Sequence, residues 1–517
     1  MTAGLLTAWL NLIGSWQQDR WSDGGAKGQV ATWSFNGGAS WGQTPQPFTE
    51  CAQPFYRTRV LQYERTSDPW QSIGPDGTAY AVSLPLDGDF VRNGLGTAIS
   101  HDGGRTWVNQ QDVDPLLART DTLNPADDKQ SVTADPANAG WAYVVWDRLL
   151  DFFPPCPAAA TRQAARTAHN APTQAKRSAP AVGAPAATPC PNVFTGPAYF
   201  SRTSDGGRTW ETPRQIVSTG PNEQTIGNQI VIDRHSGVLY DFFNFIDATG
   251  RDNIEMVSST DMGTHRSAPK YVQRLATTAE LRACFCGVVY PGDETRPLRT
   301  GDIIPEPAID PNTGQLYVIW QDGRRNGFQN DMLLASTSTR GGQPGSWSAP
   351  TFVNPPNDRA AFTLAIAVNA KGQVGVTYYD FTPPLTRPDV LLTDTWFTAT
   401  SGVGLDFGPR KLIGGPFNME AAPNARGFFV GDYQNLAALV PALDRESGDQ
   451  QQNGQSGSDG GGGGEPSSDF VSMFVMTNCA NTGCTAHGTL DGSSVGPDST
   501  DAFSTRNSAP SGIEKGT

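Results

Sequence analysis

Short runs of β-branched and aromatic residues, each closed by an Asp-Pro, Asn-Thr-Gly or Asp-Gly turn, recur along most of the chain. Ser131-Val132-Thr133-Ala134-Asp135 is followed by Ala142-Tyr143-Val144-Val145-Trp146, and Ile230-Val231-Ile232-Asp233 by Val238-Leu239-Tyr240. Ala308-Ile309-Asp310 is followed in the same way by Leu316-Tyr317-Val318-Ile319-Trp320. Related pairs lie at 67–84, 363–380 and 429–476. Apolar runs this short, punctuated by turn residues, are hairpin signals, whereas the spacing of an amphipathic helix is sustained nowhere. The pattern predicts an all-β chain.

A second repeat runs out of step with the first. Ser100-His101-Asp102-Gly103-Gly104-Arg105-Thr106-Trp107 returns as Thr203-Ser204-Asp205-Gly206-Gly207-Arg208-Thr209-Trp210. The segment makes sense as a hairpin turn, in which the Asp caps backbone N–H groups, the paired glycines take positive φ, and the Trp fills the gap between neighbouring sheets. Weaker copies follow Ser34, Ser259, Ser338 and Thr400: Asn36, Gly38, Ser40 and Trp41; Asp261 and Gly263; Gly342 and Trp347; Gly404 and Phe407. Six phases of one turn in one chain predict a repeat architecture, a β-propeller of six or seven four-stranded blades.

The repeat runs nearly end to end, so the 517 residues are expected to form one closed array, spanning 1–443 and 468–484, rather than a string of domains. Two segments fall outside it. Residues 154–192, rich in Ala and Pro, and 444–467, rich in Gly, Ser and Gln, lack the apolar content to order and are expected to hang from loops as disordered insertions. Residues 485–517 read as a polar tail, with Ala502-Phe503-Ser504 as a candidate last strand. The apolar run at 5–13 is too short to span a bilayer and lacks a basic flank. By its place in the repeat it is the second strand of a blade whose first strand is missing.

A net charge of −14 disfavours general binding to nucleic acid or to an anionic membrane, because both need a basic face. Seven cysteines leave one over. Cys156 with Cys190, and Cys479 with Cys484, flank short or inserted segments and suggest local disulfides in a secreted, extracellular protein; Cys284 or Cys286 is placed to pair with Cys51. Reduced cysteines in a cytosolic protein are the other reading. No Cys/His spacing matches zinc, and no nucleotide, flavin or haem motif is present, so no cofactor is expected. The turn Asp310-Pro311-Asn312-Thr313-Gly314 carries the oxygen ligands Ca²⁺ takes, but is also an ordinary hairpin turn.

In an up-and-down blade the first strand lines the central channel, so entries to first strands and exits from second strands share one face, and the repeated turns occupy the other. Ser100, Asp102, Gly104, Thr106 and Trp107, with Thr203, Asp205, Gly207, Thr209 and Trp210, are therefore structural. The site face receives Asp19 and Arg20, Asp147 and Arg148, Asp322 and Arg324, Tyr379 and Asp380 from second strands. First strands bring Arg65 and Asp68, Asp128 and Lys129, Asp302 and Glu306, Asp432 and Tyr433. Carboxylates, guanidiniums and phenols converging on one funnel are what a polar sugar-binding pocket requires. Pairs that follow the repeat, such as Trp-Asp-Arg, also fit salt bridges between blades; Glu306, Asp68 and the Gly431-Asp432-Tyr433 element stand out from it.

These repeated turns, with two full copies and four degraded ones, are Asp boxes, and on a β-propeller they resemble the sialidase (neuraminidase) superfamily. Phe428-Phe429-Val430-Gly431-Asp432-Tyr433 is similar to a stretch in bacterial BNR-repeat, exo-α-sialidase-like proteins. The resemblance implies a retaining exo-glycosidase in which three Arg hold a substrate carboxylate, a Tyr activated by a Glu attacks the anomeric carbon, and an Asp is the acid/base. The Phe/Tyr-Arg-Ile-Pro motif of sialidases is absent, so roles pass to this chain by position around the ring. Arg20, Arg65 and Arg324 then fall to the carboxylate, with Asp432 also in the substrate site; Asp68 is the acid/base, Glu306 the activator and Tyr433 the nucleophile. A glycan is the expected partner and a monomer the expected state. A non-catalytic carbohydrate or protein receptor, a polysaccharide lyase, or a hydrolase of another polysaccharide would use the same scaffold.

Overall fold

The computed structural model describes residues 11–17, 25–57, 59–87, 92–117, 123–152, 193–277, 298–324, 332–355, 360–381, 391–423, 427–439, 469–477 and 500–509. Within them the chain is a β-propeller of seven blades of antiparallel strands laid down in sequence order, the third and fourth joined into one sheet where Val193–Gly196 pairs in parallel with Glu223–Ile232. Blade one holds Leu12–Gln17, Gln29–Ser34 and Gly42–Pro45; blade two Arg65–Ile73, Ala79–Leu86, Gly96–Ser100 and Val108–Asp112; blade three Leu123–Ala134, Ala142–Phe152, Ala198–Thr203 and Arg214–Val217. Blade four holds Glu223–Ile232, Leu239–Ile246, Asp252–Ser259 and Lys270–Arg274; blade five Glu306–Ile309, Leu316–Asp322, Met332–Ser338 and Thr351–Phe352; blade six Ala361–Val368, Val374–Phe381, Leu392–Ala399 and Lys411–Asn418. Blade seven holds Asn435–Ala438, Asp469–Thr477 and Thr500–Ser508.

Both faces of a blade are covered by its neighbours, so second strands carry apolar or small residues on both sides. Every residue of Ala79–Leu86 and of Val374–Phe381 is buried. First strands lie side by side around the channel and are stitched by side chains: Ser131 Oγ donates to the Asn228 carbonyl (2.8 Å), Thr133 Oγ1 to that of Ile230 (2.8 Å), and Thr363 Oγ1 to that of Thr300 (3.0 Å). Blade seven closes on blade one through buried Leu12, Leu439 and Val471. The two come so near that a Cβ on Gly14 would lie 2.2 Å from Met473 Cε.

Leu12–Gln17 pairs with Gln29–Ser34, and the turn after Ser34 leads to Gly42–Pro45, so these three take the second, third and fourth places of a blade. In blade seven the candidate strand at 502–504 extends to Thr500–Ser508, pairing over its whole length with Asp469–Thr477. Phe503, Ser504, Thr505 and Asn507 are buried there, which a polar-tail reading of this segment misses. The insertions at 154–192 and 444–467 and every cysteine except the exposed Cys51 lie outside the described residues.

The turns joining third to fourth strands share one bonding pattern. Ser100 Oγ accepts from Gly104 N–H (2.9 Å), and Asp102 accepts from the Thr106 N–H (2.8 Å) and hydroxyl (2.7 Å). Thr203 with Gly207 (3.0 Å), and Asp205 with Thr209 (2.9 and 2.7 Å), repeat it. The second glycine has two reasons to be glycine. Gly207 sits at φ +81°, and a Cβ there would lie 2.5 Å from Ile99 Cγ2 of the preceding blade. Trp107 likewise joins the buried cluster that holds Ile13 and Ala31 of blade one, and Trp210 packs against the cluster that holds Tyr80, Val82 and Ile99 of blade two, so each turn rivets its blade to the one before. The hydroxyl-to-glycine bond persists after Ser34, Ser259 and Ser338 (2.9, 2.9 and 3.2 Å). At Thr400 it is replaced, the hydroxyl donating instead to the Gly402 carbonyl (2.6 Å).

Candidate functional site

A bulge repeats at one position of the first strands. Register shifts fall between Ser67 and Trp70, Asp128 and Ser131, Ile226 and Gln229, and Phe362 and Ala365. Each contains one residue with positive φ: Asp68 (48°), Lys129 (50°), Gly227 (71°) and Thr363 (42°). Positive φ is uncommon away from glycine, and a bulge re-aims the side chain it carries. In blades two and three the re-aimed side chains are charged and meet, Lys129 Nζ lying 3.0 Å from Asp68 Oδ2.

Blade seven completes the group. Its approach segment runs along the one leading into blade five: Leu298 bridges Phe428 in parallel, and Arg299 N–H donates to the Phe428 carbonyl (3.1 Å). Gly301, at φ +59°, permits the contact, since a Cβ there would lie 2.8 Å from the Asp432 carbonyl oxygen. Asp432 Oδ2 is thereby set 2.6 Å from Lys129 Nζ and 3.1 Å from an Arg299 nitrogen. The Arg299 guanidinium lies 4.1 Å from the Phe429 ring centroid. Tyr433 packs edge-on against Trp70, centroids 5.6 Å apart, with Lys129 Nζ 5.4 Å from its ring centre.

The group is almost wholly buried, with side-chain exposures of 9% for Lys129, 7% for Asp432 and 15% for Asp68. Burial alone would neutralise the Lys129 amine, but Asp432 and Asp68 outweigh it and hold the ammonium well above its usual range. Burial likewise opposes ionisation of Asp432, and Arg299 and Lys129 reverse that, keeping its carboxyl far below the usual value. Tyr433 is pushed well above 10, first by burial and then by Asp68 and Asp432, with Lys129 opposing them.

Of the residues singled out in the sequence, Asp68, Asp432 and Tyr433 come together here. Glu306 stands apart, accepting from Gln229 Nε2 (3.1 Å), and burial raises it to about 8. Arg65 donates to the Gly25 carbonyl (2.6 Å), and Arg324 is held by Asp322 (3.0 Å) and the Arg274 carbonyl (2.6 Å). Arg20 lies outside the described residues. Lys129 was visible as a charged first-strand entry; Arg299 carried no signal, because it lies on no predicted strand.

The Trp/Asp/Arg pattern ties each blade both to itself and to the one before it, since Arg148 also pairs with Asp114 beyond the last strand of blade two and Arg324 donates to the Arg274 carbonyl of blade four. Asp127 accepts from Trp146 Nε1 (3.0 Å) and Arg148 Nε (2.9 Å), and Asp322 from Trp320 Nε1 (3.0 Å) and Arg324. Asp380 accepts from Trp396 Nε1 (2.7 Å) and pairs with Arg410 in the same way. Asp147 does something else: it receives Thr225 Oγ1 (2.7 Å), Gly227 N–H (2.8 Å) and Asn228 Nδ2 (2.6 Å) from blade four, and burial raises it to about 7 despite those bonds. Asp310 spends its carboxylate on Asn312 N–H (2.8 Å) and Thr313 Oγ1 (2.9 Å) within its own turn. Among the described residues no three His, Cys, Asp or Glu side chains are grouped to hold a metal, and no helix is long and apolar enough to cross a membrane.

No protein-family model matches the chain, and no curated protein does. Solved structures similar to it include an α-L-arabinanase from Penicillium chrysogenum in complex with arabinobiose (13% identity, 73% of this chain and 87% of that one, TM-score 0.43). They also include the Hadza microbial sialidase Hz136 (14%, 79% and 68%, TM-score 0.40) and a point mutant of NanB sialidase from Streptococcus pneumoniae (9%, 90% and 80%, TM-score 0.44). The chain is a β-propeller.

Proposed function

We propose that this protein is a secreted, monomeric glycoside hydrolase that removes a terminal sugar, acidic or neutral, from a glycan with retention of anomeric configuration. The observation that carries the reading is the meeting of Asp68, Lys129, Arg299, Asp432 and Tyr433 from separate blades at the ring centre, on the face away from the Asp boxes. Tyr433 Oη is the nucleophile. As it attacks the anomeric carbon its proton passes to Asp68 and on to the leaving oxygen; water then returns a proton to Asp68, attacks the glycosyl-tyrosine and regenerates the phenol. Lys129 stabilises the phenolate that forms, and Arg299 with Asp432 orients the ring. The activating role that the sialidase resemblance gives to Glu306 falls in this geometry to Asp68 and Lys129.

The test is turnover of a fluorogenic α-sialoside beside a panel of other aryl glycosides, by wild type and by Tyr433→Phe. Turnover of one glycoside, lost in the variant, is expected; turnover of none removes the hydrolase reading. The second reading, a non-catalytic binder of carbohydrate or protein, is favoured by the 5% exposure of Tyr433.

A further inference from the structure

We infer that the candidate site takes a sugar with no formal charge, and that a sugar carboxylate is excluded from it. This rests on the reading of the site as a sugar pocket and sharpens it. Recognition of a carboxylate needs a cation with bonding capacity to give, best a guanidinium offering two parallel N–H groups. The two cations in the group are already committed. Lys129 Nζ spends itself on Asp432 Oδ2 (2.6 Å) and Asp68 Oδ2 (3.0 Å), with Asp128 Oδ1 a further 4.0 Å away, and Arg299 is on Asp432 (3.1 Å) and against the Phe429 ring.

Among the described residues two cations therefore face three carboxylates, those of Asp68, Asp128 and Asp432. An anionic sugar set against Tyr433 would meet negative charge that the local cations do not offset, in a buried setting where screening is weak. Exclusion of the wrong ligand by like charge is a standard route to specificity. Arg65 and Arg324 do not change the balance, since the Gly25 carbonyl holds one and Asp322 the other. What the site does offer a sugar is carboxylate oxygens that can accept from its hydroxyl groups and the half-buried Trp70 ring for its apolar face.

The experiment uses the full chain and saturation-transfer NMR with methyl β-galactoside, methyl α-arabinofuranoside and methyl N-acetylglucosaminide against methyl α-N-acetylneuraminide and methyl glucuronide. At least one neutral glycoside is expected to bind tenfold or more tightly than either acid. Asp432→Asn, which releases Lys129 and Arg299, is expected to raise affinity for the acids at least tenfold; where that variant does not fold, Asp68→Asn is used. Equal or tighter binding of an acid by wild type overturns the inference, as does binding of none of the five. Turnover of the matching fluorogenic glycosides separates the two readings. Sialoside cleavage overturns the neutral-sugar class and keeps the hydrolase, whereas neutral binding without any turnover keeps the class and removes the hydrolase.

Discussion

Lys129 and Asp432 are 303 positions apart in the chain, yet Nζ of one lies 2.6 Å from Oδ2 of the other, joining blade three to the approach of blade seven. A charge pair this buried is weak evidence of net stabilisation, because desolvation offsets much of the attraction. Removing one partner is different, since the other is left charged and unsolvated.

Lys129→Met is accordingly expected to cost about 3–5 kcal/mol of unfolding free energy, because it leaves the Asp68 carboxylate without its ammonium partner and Asp432 with Arg299 alone. Asp432→Asn leaves Lys129 with Asp68 as its close carboxylate partner. The double variant should cost less than the sum of the two, by about 0.5–3 kcal/mol. Guanidinium unfolding of the four proteins checks this, and simple additivity would show that the two side chains are not energetically coupled.

Glu306 gives the pH dependence its sign. A carboxyl raised by burial keeps its proton in the folded state at pH values where the unfolded chain, at about 4.3, has lost it. The folded state therefore loses stability as pH climbs from about 4.3 to the folded value of about 8, and loses nothing further beyond it. Asp147, raised to about 7, adds to the same slope. Asp432, depressed, contributes stability that is present at neutral pH and lost only towards strong acid. Unfolding midpoints are expected to fall between pH 5 and pH 8, and Glu306→Gln to reduce that fall by up to about 1.4 kcal/mol per pH unit. An unchanged slope in the variant would mean that Glu306 titrates like an exposed acid.

The parts of this molecule legible in its sequence are those set by neighbours in the chain. The turn from Ser100 to Trp107 closes its bonds within eight residues, so two copies sufficed to announce a ring of hairpins. Asp68, Asp432 and Tyr433 could be drawn together because topology places first-strand entries on one face. The bulge that aims Asp68 and Lys129 left no mark, since its positive-φ position is Asp, Lys, Gly or Thr in different blades, and backbone strain held by tertiary contacts has no single-residue signature. The Trp/Asp/Arg groups could not be divided between blade interior and blade interface for a related reason, and they bond both ways. Spacing alone cannot distinguish a carboxylate across the same sheet, as Asp127 is to Trp146 and Arg148, from one on the next sheet.

The two glycines of one repeated turn separate backbone strain from packing. Gly206 and Gly207 both have positive φ (77° and 81°), but a Cβ on Gly206 meets nothing within 4 Å, whereas one on Gly207 meets Ile99 Cγ2 at 2.5 Å. Gly206→Ala should cost about 1–2 kcal/mol, the left-handed penalty alone. Gly207→Ala should add about 1–3 kcal/mol of overpacking against blade two. Urea midpoints decide it: equal costs would mean that blade two yields to the new methyl group. Neither change should alter glycoside turnover by more than about twofold once the protein is folded, because these turns lie on the face opposite the site.

Arg299 and Arg324 were not equally visible in the sequence, and they should differ in the opposite direction in function. Arg324 is spent on Asp322 of its own blade and on the Arg274 carbonyl of blade four. Arg299 holds Asp432, the residue next to the proposed nucleophile, and also stacks on Phe429 in the same segment. Freed of Arg299, the 428–433 segment keeps its backbone bridge at Leu298 but loses the contact that fixes the Asp432 carboxylate, and with it the alignment of Lys129 over the Tyr433 ring. Misplacement of a reacting group by about 1 Å costs on the order of 100-fold in rate. Arg299→Ala is therefore expected to lower kcat on the best glycoside about 100-fold while KM changes little, and Arg324→Ala to leave kcat within about threefold. A large loss in Arg324→Ala, with Arg299→Ala near wild type, would move the substrate away from Tyr433 and towards the exit of the second strand of blade five.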